Sequence, residues 1–202
     1  MTSMFNKPWA RRAFTALLAL AAAGAAQAHP GHAGDGFAAG LAHPFLGLDH
    51  LLAMVAVGAW SCLALPAGKR LAGPLVFMAL LAVGALLGPQ AHIGTAGIEI
   101  GVALSVVLFG VLLLVGRKLN ATAGLAIVGA SALVHGLAHG NDLLNGQPAA
   151  LAMIAGMLLG SALLHGAGYV AGARMQSAPR WVHQLAAAGL GASGLVMLAA
   201  RL

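Results

Sequence analysis

The chain has 202 residues, 60% of them hydrophobic and only 7% charged, with a mean hydropathy of +0.92. A soluble domain carries about 25% charged residues, so this composition excludes a water-soluble globule and points to an integral membrane protein. The formal charge of +6 does not make a nucleic-acid surface: Lys7, Arg11 and Arg12 stand at the extreme N-terminus, and the remaining cations flank apolar segments, where they read as topology signals.

In chain order, residues 1–28 read as a cleaved signal peptide. Three positive charges precede a short apolar run from Ala13 to Gly24, and Ala26-Gln27-Ala28 supplies a small-residue cleavage pattern. The alternative is an uncleaved anchor helix. Cleavage leaves a mature chain beginning His29-Pro30-Gly31-His32, with seven Lys/Arg against four Asp/Glu. Residues 29–42 are then a periplasmic tail. In it His29 and His32 form a candidate capture site using imidazole and α-amine, against the plainer reading of a solvated tail. Pro30 has no N–H to deprotonate, which blocks a square-planar site built from successive backbone amides.

A membrane-crossing helix needs about 20 mainly apolar residues. Residues 43–202 supply six such spans, at about 43–64, 71–88, 97–116, 121–140, 148–171 and 182–201. Pairs of glycines four apart (84/88, 97/101, 136/140, 156/160 and 168/172) predict close helix–helix approach. The expected fold is an all-α, polytopic membrane helix bundle of six transmembrane helices. The loops after spans one, three and five carry Lys69/Arg70, Arg117/Lys118 and Arg174/Arg180, whereas residues 89–96 and 141–147 carry no Lys or Arg. This bias predicts that both termini are periplasmic, with Arg201 the one cation against the pattern. Cys62, the single cysteine, excludes an intrachain disulfide and reads as buried.

The ionisable residues gather on the outer side. His43, Asp49 and His50 occupy the head of span one. On a continuous helix His43 and His50 share a face, with Asp49 about 100° away. Glu99 opens span three. His135 and His139 lie one turn apart near the end of span four, followed by Asp142 at i+3, so all three face one way. His165 lies deeper, roughly 25 Å below the outer end of span five at 1.5 Å per residue. A lone intramembrane histidine often only bonds a neighbouring helix, which is the plain alternative for His165. Two sets of two histidines and an acid at matching depth point instead to a metal ligand field, since imidazole and carboxylate bind borderline divalent ions. Glu99 is either a ligand or a partner of a ligating histidine.

At these residues the sequence resembles the HupE/UreJ family. His43, Asp49 and His50 match the family's H-x5-D-H element. His135-Gly136-Leu137-Ala138-His139-Gly140-Asn141-Asp142 matches its H-G-x-A-H-G-x-E element, with Asp142, shorter by one methylene, where the family has Glu. Glu99 through Ser105 is similar to the family's third span. The resemblance implies a nickel permease, or a related cobalt carrier, associated with NiFe-hydrogenase or urease maturation, and no enzyme activity.

The expected function is therefore passage of a divalent ion, Ni²⁺ first, from periplasm to cytoplasm across the bacterial inner membrane. Candidate ligands are His43, Asp49, His50, His135, His139, Asp142, Glu99, His165, His29 and His32. Co²⁺, Zn²⁺ and Cu²⁺ suit the same donors. The expected partners are the ion and the lipid bilayer, with a homo-oligomer left open and no nucleic acid. Imidazoles bind metal only when neutral, so uptake should fail at acid pH. Two alternatives stand beside this reading. One is an intramembrane Zn-dependent hydrolase, with Ser131 or Ser161 as its serine. The other is a metal-binding accessory protein that does not transport.

Overall fold

Seven α-helices and three short 3-10 turns make up the described part of the chain, residues 36–90, 93–143 and 150–202 of a computed structural model. The helices are α1 (Phe37–Leu46), α2 (Leu48–Ala64), α3 (Ala72–Leu87), α4 (Thr95–Val115), α5 (Ala121–Leu143), α6 (Ala150–Met175) and α7 (Arg180–Ala199), and no strand occurs among the described residues. The expected signal peptide, with His29 and His32, lies outside them.

Five helical segments are long and apolar enough to cross a membrane: Ala67–Leu87, Thr95–Val115, Ala121–Gly140, Ala150–Met175 and Arg180–Ala199. The sixth candidate is α1 together with α2, which meet at 82°. This corrects the expectation of one continuous helix over 43–64. Pro44, inside α1, cannot donate to the carbonyl four residues back. Gly47 then leaves the helical region at φ −87°, ψ 115°. The chain restarts at once, with Leu51 N–H bonding Gly47 O at 2.9 Å. Asp49 in the first turn of α2 accepts the otherwise unpaired N–H of His50 at 2.8 Å. Helical order also begins at Phe37, six residues ahead of the expected first span.

Four of the five glycine pairs do what their spacing predicts; at 97/101 a Cβ would meet only the side chains of Ile93 and Val134. Gly84 of α3 and Gly88 just past its end face Gly136 and Gly140 of α5, so closely that a Cβ on any of them would strike the partner's backbone. On α6, Gly156 and Gly160 receive the backbone of α1, while Gly168 and Gly172 receive that of α2. Gly110 of α4 meets Gly191 of α7. Three tight helix pairings result: α3 with α5, α4 with α7, and α6 with the broken pair.

Helix α2 runs through the middle, with Ala53, Met54, Val57, Trp60, Ser61 and Cys62 all buried. Around it the usual distribution is reversed. Leu75, Leu86, Val111, Leu114, Leu151, Leu163 and Leu195 point outward, while His50, His135, His139 and His165 are buried. Lipid tails solvate the outer leucines, so the interior is the only place where polar groups find partners.

Candidate metal site

The break between α1 and α2 positions the first half of the site. His43 lies on α1 one turn before Gly47, and His50 lies in the first turn of α2. The bend brings their rings to 5.7 Å between centroids. Gly47 fits the corner closely, since a Cβ there would lie 3.1 Å from both Asp49 Oδ1 and His50 Nδ1.

Helix α5 supplies the other half. His139 stands 4.6 Å from His43 and 4.7 Å from His50, ring to ring. One nitrogen from each of His43, His50 and His139 lies within 4.8 Å of the other two. Two ligands of one ion at Zn- or Ni-like bond lengths are separated by about 3–4 Å, so this spacing suits a shared cation. The tightest pair is His50 Nε2 and His139 Nε2, at 2.6 Å. Two lone pairs repel at that distance, so a proton lies between them, and the two rings must separate slightly to admit an ion.

The surroundings of His50 set which nitrogen faces the cluster. Its Nδ1 lies 2.7 Å from Asp49 Oδ1. A carboxylate only accepts, so Nδ1 carries the proton and Nε2 presents its lone pair. The other carboxylate oxygen, Oδ2, accepts from Arg201 Nη2 at 2.7 Å, and Arg201 Nη1 donates to the Glu99 carbonyl at 3.0 Å. Arg201, Asp49 and His50 thus form a chain that ends at the three-histidine cluster.

His135, expected among the ligands, is placed differently. Its ring lies 4.7 Å from that of His50, but it is not in the three-nitrogen group. Ser105 Oγ donates to Val102 O at 2.6 Å, which commits the hydroxyl proton. The oxygen therefore accepts from His135 Nε2–H at 2.8 Å. His135 Nδ1 is left as a buried lone pair with no hydrogen-bond partner.

His165 is separate again. It donates Nδ1–H to Ser161 O, one turn back on its own helix, at 2.7 Å, and its Nε2 is buried without a partner. The Phe77 ring lies between the two levels, 5.1 Å from His165 and 5.7 Å from His135. Glu99 is half-buried at the start of α4 and meets the site only through its carbonyl. Asp142 falls in the last turn of α5, with its side chain outside the described residues, as are His29 and His32.

Sequence reading missed three residues. Arg201 showed only as an exception to the charge bias, Ser105 only as part of the stretch after Glu99, and Phe77 carried no polar signal.

The profile of the family described as "HupE / UreJ protein" matches residues 17–197 of this chain. Protein HupE of Rhizobium leguminosarum bv. viciae is 37% identical over 186 residues, covering 91% of this chain and 95% of that protein. No solved structure matches.

Proposed function

The chain belongs to the HupE/UreJ family, and we propose that it carries a divalent transition-metal ion, Ni²⁺ foremost, from the periplasm to the cytoplasm. The single observation that carries this reading is the convergence of His43, His50 and His139 from both arms of a broken span and from α5. Apolar helices do not gather imidazoles at this spacing for packing alone.

The donor set fits cargo better than a permanent cofactor. Three neutral imidazoles bind a borderline dication, but the carboxylate of Asp49 is turned to His50 and Arg201. An ion held by neutral ligands, with water completing its shell, can leave again, as passage requires. His29 and His32 would capture the ion weakly outside, and Glu99 and Asp142 would add negative potential at the mouth. His135 Nδ1 and then His165 Nε2 offer bare lone pairs further along, with Phe77 between them. An inward membrane potential contributes about 2.3 kcal/mol per charge per 100 mV, and twice that for a dication. In the cell the ion would serve NiFe-hydrogenase or urease maturation, with the protein in the inner membrane and both termini periplasmic.

The test is radiolabelled Ni²⁺ uptake by cells expressing wild type, His43→Ala or His139→Ala. Wild-type uptake that both variants lose supports the reading. Unchanged uptake in both variants sinks the path, and binding without uptake would favour an accessory role.

A further inference from the structure

We propose that Arg201 is a resident counter-cation that an arriving metal ion displaces, a positioning residue that sets how tightly the outer cluster holds its cargo. The inference rests on the transport reading above.

Arg201 sits just past the end of α7, on a turn closed by its own N–H to Leu198 O at 3.1 Å. From there its guanidinium reaches two other helices, donating to Asp49 Oδ2 on α2 and to the Glu99 carbonyl on α4. The Arg201 side chain is 24% exposed and that of Asp49 15%, so the pair lies at the rim of the bundle, where a long side chain can exchange protein partners for water.

Charge decides the consequence. With three neutral imidazoles, the Asp49 carboxylate cancels the guanidinium and the empty site is neutral overall. A dication added to that arrangement meets a unit positive charge one carboxylate away and no uncompensated anion. Release of Asp49 Oδ2 by Arg201 removes the repulsion and restores the full charge of Asp49 behind His50. That in turn strengthens Nε2 as a donor, since a carboxylate behind a histidine raises its basicity. Return of Arg201 lowers the affinity again and favours departure of the ion. The role needs only a cation beside Asp49 Oδ2, and the second contact, to the Glu99 carbonyl, ties the helix ends together.

The experiment is Ni²⁺ uptake kinetics in vesicles bearing wild type, Arg201→Gln or Arg201→Lys, with Ni²⁺ titration of each purified protein in detergent. Loss of the charge in Arg201→Gln should tighten Ni²⁺ binding and lower KM by roughly threefold to tenfold, the range for one partly exposed unit charge. Vmax should fall with it, because release is slowed, while Arg201→Lys stays near wild type. A merely structural tie between helix ends would lower protein yield and leave KM unchanged or raised. That result overturns the proposal, as does Arg201→Lys behaving like Arg201→Gln. If wild type takes up no Ni²⁺, the transport reading fails, and the titration still decides the role of Arg201: equal or weaker binding by Arg201→Gln overturns it. Absence of any binding by wild type overturns both.

Discussion

The outer cluster and the His165 level use the same side chain in opposite ways. At the outer cluster, His43, His50 and His139 come from three helices and turn nitrogens toward one another. The proton on His50 is held behind it by a carboxylate. At the lower level, His165 gives its proton to a carbonyl of its own helix and meets a phenyl ring. In the first arrangement nitrogens of different helices face one another, whereas in the second, one nitrogen is bonded within its own helix and the other, Nε2, is buried without a partner. On the proposed function, convergence across elements, more than histidine content, separates a binding site from a way-station.

The strongest way to break this comparison is to remove a member of the cluster. His139→Ala should cost more than the roughly 10–100-fold in Ni²⁺ affinity typical of an outer-shell change, read by titration of the purified protein. Retention of wild-type affinity would place the ion elsewhere. Asp49→Asn comes next, with an expected loss of about 10–100-fold, because an amide nitrogen turned toward His50 Nδ1 would no longer hold the proton there.

His165→Ala sharpens the contrast differently. Ni²⁺ affinity of the outer cluster should stay within about twofold, since sites without shared partners act nearly independently, while the uptake rate falls. Equal loss of both would merge the two levels into one site. Gly47→Ala should have the smallest effect, a few-fold drop in affinity. Its backbone angles suit alanine, and only the 3.1 Å approaches to Asp49 Oδ1 and His50 Nδ1 must relax.

Much of this fold is written in local pattern. Apolar runs of span length mark the crossings, and glycines four apart mark where α3 meets α5 and where α6 takes the broken pair. The break itself was harder to see. Pro44 and Gly47 sit in a segment of span length, and hydropathy averages over a corner that only backbone geometry reveals. For the same reason His43 and His50 come together by a bend and not by the seven-residue repeat of a straight helix. His135 and His139 share a face by spacing, yet Ser105 on α4 claims His135 Nε2, and a contact between elements 30 residues apart has no periodic signature. Arg201 meets Asp49 from 152 residues away. Its only trace in the sequence was a cation on a side otherwise without one.

The central claim is that one ion sits among His43, His50 and His139, and X-ray absorption at the nickel edge of the Ni²⁺-loaded protein tests it most directly. The account predicts scattering from three imidazoles in wild type, matching the three converging nitrogens, and one imidazole fewer in His139→Ala. A first shell of oxygen alone, or a spectrum unchanged by His139→Ala, would contradict it.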